Sequence, residues 1–265
     1  MRGRWLVGLC VAAAPLAPHL AWAQMQPHRA EYSLRLGTAA NAPRIGKATQ
    51  DITLDCAGWH IRRDIASEIA FTPSLKVSLA SRFNGDEDRN GNVFRYHNVQ
   101  IQNGAERDTR GKVRRIDGET SIDIISPDGS QHLVLPPPTL MPVAAVSHLV
   151  DRLHAVGAAS FPAFMFGAEA TGDAFLIDVR ELDRDALQAA PPALKPVAVP
   201  ATRSWAVLMT FTRPRQQDEK PLLSVRARVF NSGVLDRLTV DAGVATVTAD
   251  LLALEMHEPP VCPGP

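Results

Sequence analysis

Short segments in which apolar and polar residues alternate run through most of the chain. In the first of them, polar side chains separate Tyr32, Leu34 and Leu36. A period of two places one set of side chains on one face of an extended strand, which is typical of half-buried antiparallel strands. The sequence therefore predicts a mainly β fold. The alternating segments are 31–36, 51–56, 59–65, 77–83, 205–211, 223–229, 235–240 and 244–256.

Asn-Gly and Asp-Gly pairs stand between several of these segments. The residues of such a pair tolerate the positive φ that a tight hairpin requires. Strands joined in this way lie side by side in an antiparallel sheet. The four pairs are Asn90-Gly91, Asn103-Gly104, Asp117-Gly118 and Asp128-Gly129.

One segment, residues 142–156, has a helical period instead. Its apolar residues recur at intervals of three and four, Pro142 stands at its start, and Gly157 occupies the position of a C-terminal cap. We predict a single amphipathic helix here, between two β-rich halves. The proline-rich stretches at 136–138 and 191–200 are predicted to be extended connectors or edge segments.

The N-terminus has the features of a secretory signal peptide. A basic start and a short apolar run lead to an A-x-A cleavage site that ends at Ala23. A membrane anchor is disfavoured because prolines interrupt the run well before the ~20 apolar residues that a spanning helix needs. We therefore predict a signal peptide of residues 1–23, cleavage before Gln24, and a periplasmic mature protein of residues 24–265.

The charge balance gives no sign of a nucleic-acid-binding surface. The chain carries 28 basic and 28 acidic residues, and loss of Arg2 and Arg4 with the signal peptide leaves 28 − 2 = 26 basic residues against 28 acidic ones. A binder of nucleic acid or anionic lipid needs an excess of positive charge. The mature chain is also predicted not to span the membrane, since it has no apolar stretch long enough to cross a bilayer.

Two of the three cysteines, Cys56 and Cys262, lie in the predicted mature chain. In an oxidising compartment they are expected to pair, and a loop of roughly 200 residues would restrict the unfolded chain by on the order of 5 kcal/mol. Two buried free thiols are the alternative. Because the cysteines lie on opposite sides of both proline-rich connectors, a single domain is favoured over two.

Three stretches of the sequence carry a family resemblance. They are Pro27-His28-Arg29-Ala30-Glu31-Tyr32, then Asp55-Cys56-Ala57-Gly58-Trp59, and the ending from Asn231-Ser232-Gly233-Val234 through Leu251, Leu254 and Glu255 to Cys262. Together they resemble the envelope integrity protein B (EipB) family, which comprises exported proteins of Gram-negative bacteria. The likeness spans nearly the whole mature chain, and its most specific parts are the C-x-G-W strand end and the near-terminal cysteine.

The resemblance implies both a fold and a role. It implies antiparallel strands that wind into an open spiral or incomplete barrel, closed by a disulfide between Cys56 and Cys262. It also implies a non-enzymatic periplasmic protein that supports cell-envelope integrity by binding another envelope protein. A carrier or sensor of a lipid or other apolar envelope ligand, held in the concave face of the sheet, is the alternative. An open, elongated apolar groove would favour that alternative.

None of the candidate catalytic or metal-binding patterns is complete. Residues 86–91 imitate the start of a calcium loop, but His97 stands where the loop needs a bidentate glutamate, so a polar hairpin tip is the better interpretation. His148 and His154 share the predicted helix at a spacing of six, which does not stack them on one face. The sequence contains no H-E-x-x-H, G-x-S-x-G or S-x-x-K motif. We predict no catalytic residues, no metal site and no cofactor.

One local group of apolar residues follows the predicted helix closely and consists of Phe161, Phe164, Met165 and Phe166. Aromatic residues are few elsewhere, so this group is a candidate contact patch for a partner or an apolar ligand. Ordinary packing of the helix onto the sheet is the competing interpretation. Polar substitution separates the two, because it unfolds a core but spares an exposed surface.

Overall fold

The computed structural model describes residues 25–70, 72, 75–155, 158–165, 168, 172–214 and 220–263. The predicted signal peptide and its cleavage site between Ala23 and Gln24 precede these residues and stay a prediction. The described part contains a sheet of fourteen strands and the helix α1, Pro142–Ala155. The strands are His28–Leu36 (β1), Arg44–Leu54 (β2), Gly58–Ala70 (β3), Lys76–Asp88 (β4), Val93–Gln102 (β5), Ala105–Ile116 (β6), Glu119–Ser126 (β7), Gly129–Leu135 (β8), Ala158–Ala163 (β9), Phe175–Leu182 (β10), Ser204–Thr212 (β11), Leu223–Phe230 (β12), Leu235–Asp241 (β13) and Thr246–Met256 (β14).

The sheet consists of two meanders that meet at the first and last strands of the chain. Strands β1 to β8 lie side by side in sequence order, and β14 back to β9 do the same on the other side of β1. Strands β1 and β14 pair from His28↔Met256 to Leu36↔Val247. All strand pairs of the sheet are antiparallel, as hairpin connections require. The N- and C-terminal strands therefore occupy the middle of the sheet.

The two ends of the sheet, β8 and β9, share no strand ladder in the described residues, but the chain links them. The proline-rich connector after β8 forms a parallel bridge from Leu140 to Ala163 of β9. The loop before β10 reaches the other end, where a Cβ atom on Gly172 would lie 2.2 Å from the Ile124 side chain of β7. The sheet is thus curled and unclosed, which confirms the predicted mainly β fold with an open spiral or incomplete barrel.

Helix α1 packs into the interior of the curled sheet, where its side chains join strand residues from both meanders in one core. It ends at Ala155, and the predicted last residue and cap, 156–157, lie outside the described residues. The predicted apolar stripe is confirmed, because the buried helix residues are Val143, Ala145, Leu149, Val150 and Leu153. The two helix histidines instead touch aromatic rings at their edges: His148 lies 4.9 Å from Phe161 and His154 lies 4.6 Å from Trp205 between centroids.

The four predicted hairpin turns are confirmed. Asn103 and Asp117 adopt φ of 51° and 50°, and the glycine after each adopts φ of 84° and 85°. Two consecutive positive φ angles define the tight turn whose twist matches that of the flanking strands. Gly91 and Gly129, at the other two turns, also have positive φ, at 63° and 117°.

An aromatic cluster lies at the centre of the core. Phe83, Phe94 and Tyr96, from β4 and β5, stack with centroid separations of 5.9 to 6.3 Å, and Phe164 lies 5.6 Å from Tyr96. Gly111 in β6 makes room for this cluster, since a Cβ atom there would lie 2.2 Å from the Tyr96 ring. The core thus requires glycine at this strand position for packing.

The two proline-rich stretches are not extended throughout: each contains a turn, in which the Leu194 N–H donates to the Pro191 carbonyl and the Thr139 N–H to the Pro136 carbonyl, both at 2.9 Å. The later residues of the stretch at 191–200 lie near β1 and β14, where Val197 joins a second apolar cluster.

A buried ion pair fixes the chain just before residues 191–200. Arg35 pairs with Asp250 at 2.7 Å between Nε and Oδ2, and both side chains are almost fully buried. Arg35 Nη2 also donates to the carbonyl of Ala189 at 3.2 Å. The described helix is too short to cross a membrane.

Candidate functional site

The residues of the predicted contact patch lie in the core as far as the structure describes them. Phe161, Phe164 and Met165 are 5%, 1% and 8% exposed. Phe164 contacts Phe94 edge-on at a centroid distance of 6.2 Å. These three side chains therefore pack as core, as the competing interpretation has it, and do not form an exposed patch. Phe166 lies outside the described residues.

A small cavity remains between α1 and the sheet. Its volume is about 60 Å³, and its walls are mostly apolar, with Ile52, Phe94 and Val146 among them and Gln50 and Arg63 as polar lining. A cavity of about 150 Å³ is needed to hold a benzene molecule, and drug-sized ligands occupy roughly 300–1,000 Å³. The described interior is therefore too full for a lipid chain.

A wider depression of about 380 Å³ lies on the outer face of β2 to β6. Strand alternation points nine of its eleven lining residues away from the core, whereas Ile65 and Ser81 lie on the core-facing side with Ile61 and Phe83. One row across the strands consists of Lys47, Ala66, Ala80, Ile101 and Glu106. The neighbouring row consists of Thr49, Asp64, Arg82 and Val99. We call these nine residues the outer groove.

Two alanines create the outer groove. Ala66 in β3 and Ala80 in β4 are direct cross-strand partners, so two methyl groups stand where longer side chains would fill the surface. Val99 and Ile101 are half-buried beside them and complete an apolar floor. An apolar centre surrounded by polar groups is the usual arrangement of a protein contact site.

The rim of the outer groove is charged. Its exposed residues are Lys47, Asp64, Arg82 and Glu106. None of the four forms a salt bridge with another residue of the described ranges. Sequence reasoning missed this site because only the register of β2 to β6 brings its residues together.

The disulfide connects the chain segments that follow β2 and β14, the two strands that flank β1. The partners of His28 in the neighbouring strands are Ile52 of β2 and Met256 of β14, so the chain segments that follow these two strands emerge close together. Cys56 and Cys262 are bonded, with 5.6 Å between their Cα atoms, which is an ordinary separation for a disulfide. The predicted pairing is thus present, and the alternative of two free thiols is not.

A charged cluster surrounds Cys56. His60 lies between two carboxylates, with Nδ1 2.6 Å from Asp86 Oδ1 and Nε2 2.9 Å from Asp55 Oδ2. Asp86 and then Asp55 raise the pKa of His60, while the hydrogen bond from His60 is the main cause that lowers the pKa of Asp55 to about 2. Arg89 lies on the other side, where its Nη2 donates to the Asp55 carbonyl at 2.6 Å. The cluster ties the turn after β2 to β4.

Neither metal ligation nor nucleophilic catalysis is supported by the described side chains. They contain no group of three or more His, Cys, Asp or Glu placed to hold a metal ion. The four histidines that bond to side chains, His60, His97, His132 and His257, all contact aspartates rather than hydroxyl or thiol groups. A base bonded to a nucleophile is the usual sign of covalent catalysis. His28, in β1, is buried, and its Nδ1 lies 2.8 Å from the backbone carbonyl of Gln26.

Glu87 has a role that the sequence did not indicate. The hairpin-tip interpretation placed it among exposed polar residues, but it is 3% exposed. Its carboxylate accepts the backbone N–H groups of Val143 at 2.7 Å and Ala144 at 2.9 Å, at the start of α1. Burial raises the pKa of Glu87 to about 7 in spite of these two bonds. Glu87 therefore attaches the helix to the sheet and has a structural role.

Comparisons with known proteins agree with this architecture. A family model described as EipB-like matches residues 19–258. The fold is similar to the crystal structure of a beta-barrel-like protein of a domain of unknown function, DUF1849, from Brucella abortus. That likeness has a TM-score of 0.72 and 18% sequence identity, and it covers 89% of this chain and 99% of the other. No curated protein matches the sequence. The family match confirms the resemblance carried by the three sequence stretches.

Proposed function

Because the chain belongs to the EipB-like family, we propose that it is a non-enzymatic periplasmic protein that supports the integrity of the bacterial cell envelope by binding another envelope protein. The partner contacts the outer groove. The observation that carries this proposal is the apolar floor inside a charged rim, on a sheet whose other face is occupied by its own core.

The charges of the groove favour one orientation of the partner. Lys47 stands at the β2 end of its row and Glu106 at the β6 end. A complementary surface places an acidic group over Lys47, a basic group over Glu106, and an aliphatic or aromatic side chain over the two alanines. Buried apolar contacts give most of the affinity of such interfaces, whereas charges set the orientation and the rate of association.

The alternative role as a lipid carrier receives no support from the described interior. A carrier needs an elongated apolar groove, and the cavity beside α1 measures only about 60 Å³. Phe164 and the other aromatic residues of the core occupy the space that a chain-like ligand would need. The outer groove, with charges on its rim, suits a protein surface better than an acyl chain.

The test is a rescue experiment in cells that lack the gene. The A66Y and A80Y variants fill the floor of the groove without changing the charge. We expect the wild-type protein to restore resistance to detergent and to cell-wall antibiotics, and both variants to lose this rescue while their melting temperatures stay within a few degrees of wild type. Ala66 is exposed and Ala80 is half-buried on the outer face, and surface substitutions of this kind alter stability by only about 0.5 kcal/mol.

The matched control is S130Y, in the exposed strand β8 and remote from the groove residues in the strand order. It adds the same side chain and should rescue as well as wild type. Capture of the tagged wild-type protein should also recover an envelope protein that A80Y fails to retain. Full rescue by both groove variants would show that the partner binds elsewhere or that no partner exists.

A further inference from the structure

The two sulfur atoms of the disulfide have different surroundings. Cys56 is exposed in the turn between β2 and β3, whereas Cys262 is half-buried. The guanidinium of Arg89 donates from Nη2 to Sγ of Cys262 at 3.3 Å. With Cys56 it bonds only the backbone carbonyl, from Nε at 3.1 Å. The positive charge is thus held in place by the turn and directed at one sulfur.

This asymmetry decides how the bond breaks in thiol–disulfide exchange. A nearby arginine stabilises a thiolate and lowers the pKa of the corresponding thiol. The sulfur that leaves as the more stable thiolate leaves faster, and the incoming thiolate bonds to the other one. Arg89 therefore favours Cys262 as the leaving group. Cys56 is also the more exposed residue of the two, so attack at its sulfur is favoured.

We propose that Cys56 is a thiol-modification site at which an external dithiol, of the kind carried by thiol–disulfide oxidoreductases, forms a mixed disulfide. One thiolate of the dithiol attacks Sγ of Cys56, a new S–S bond forms, and Cys262 leaves as a thiolate beside Arg89. The second thiol of the dithiol, as a thiolate, then attacks the dithiol sulfur that is bonded to Cys56. The mixed disulfide breaks, and Cys56 is released as a thiolate. Two electrons pass to the protein, its two cysteines take up two protons, and the dithiol is oxidised to a disulfide.

Cleavage of this bond releases the end of the described chain without opening the sheet. His257 is held by its N–H bond to the Pro27 carbonyl at 2.9 Å and by its ring bond to Asp51 at 2.8 Å. Within residues 258–263 the contact of Arg89 with Cys262 is the one hydrogen bond that the described structure contains. The modification thus acts on the terminal segment, while β14 stays paired with β1.

Reduced glutathione, a monothiol, tests the direction of attack, because it stops at the mixed disulfide when the released thiol is alkylated. The folded full-length mature protein is treated with glutathione near neutral pH and then with N-ethylmaleimide, and the peptides are mapped by mass spectrometry. We expect glutathione on Cys56 and maleimide on Cys262 in most of the singly modified protein. High salt should reduce this preference, because Arg89 is exposed and its field is screened.

The R89Q variant, in the turn after β4, provides the second measurement, and R95Q is a control that removes an exposed arginine of the neighbouring strand β5. We expect R89Q to lose the preference for Cys56 and R95Q to keep it. The preference should fall in R89Q because a leaving thiol whose pKa is no longer lowered by the arginine leaves more slowly. If wild type carries glutathione equally on both cysteines, or mostly on Cys262, the proposal is overturned. The same holds if R89Q keeps the wild-type preference. Circular dichroism confirms that the variants are folded.

Discussion

The Glu87 carboxylate of β4 accepts the backbone N–H of Val143, the second residue of α1, at 2.7 Å. The first N–H groups of a helix have no partner within the helix, and they carry its positive dipole end. A sheet side chain thus supplies a cap that the residues before the helix do not provide. Because the cap is a carboxyl group, the contact between helix and sheet depends on whether Glu87 is protonated.

Replacement of Glu87 by glutamine should change how stability depends on pH. Burial raises the pKa of Glu87 from 4.5 to about 7. Below pH 4.5 the carboxyl is protonated in the folded and the unfolded chain. As pH rises toward 7 the Glu87 carboxyl ionises first in the unfolded chain. The free energy of unfolding of the wild-type protein therefore falls by on the order of 3 kcal/mol relative to that of E87Q, and it falls little more above pH 7. Urea denaturation of both proteins between pH 4 and pH 8 measures this; a constant difference would contradict it.

Removal of the disulfide should destabilise the protein without changing its fold. In the chain-entropy model a loop of 206 residues corresponds to a loss of up to about 5 kcal/mol in the free energy of unfolding. The C56S, C262S and double variants should lose similar amounts, because each removes the same bond. Thermal denaturation of the three proteins gives the comparison. A much larger loss in one single variant would mean that its cysteine contributes by packing as well.

The F164A variant should be strongly destabilised. Phe164 is 1% exposed and lies against the rings of Phe94 and Tyr96. Truncation of a buried phenylalanine to alanine costs about 3–5 kcal/mol, through lost burial and the cavity that remains. Chemical denaturation measures the loss. The control V244A, at a position that is 93% exposed, should change the free energy of unfolding by less than about 0.5 kcal/mol.

Breaking the Arg35–Asp250 pair should destabilise the protein and also loosen residues 187–200, which lie near β1 and β14. R35M leaves the Asp250 carboxylate buried without its partner, which costs about 3–5 kcal/mol. The Ala189 carbonyl loses its donor as well, so limited proteolysis should cut near residues 187–200 sooner than in wild type. The double variant R35M/D250L should recover much of the stability but keep the faster cleavage. Equal cleavage rates would show that other contacts hold this stretch.

The local patterns of the sequence predicted local structure well. Alternation located the strands, and the Asn-Gly and Asp-Gly pairs located the hairpins, because both depend on neighbouring residues alone. The helix was predicted to within a residue for the same reason. The family resemblance supplied the curled sheet, which local patterns do not determine. The disulfide was predicted by the resemblance and also by the presence of two cysteines in a chain with an export signal.

The sites that depend on pairing over long distances could not be predicted in this way. Ala66 and Ala80 are ordinary strand residues until the register of β3 and β4 makes them partners. Glu87 reads as part of a polar tip because the helix that it caps begins 55 residues later in the chain. The sequence left Phe164 open between core and contact surface, because nothing in its neighbourhood reveals that two aromatic side chains of β5 pack against it.

The pairing of the first strand with the last one sets an order of events in folding. A chain that emerges from its N-terminus can pair β1 with β2 at once, but the other side of β1 waits for residues 246–256. During that interval β1 is an open edge, and open edges pair readily with strands of other molecules. The roughly 200 residues between the two strands must therefore follow β1 before β14 can pair with it. The arrival of the C-terminal strand ends this period of exposure to neighbouring chains.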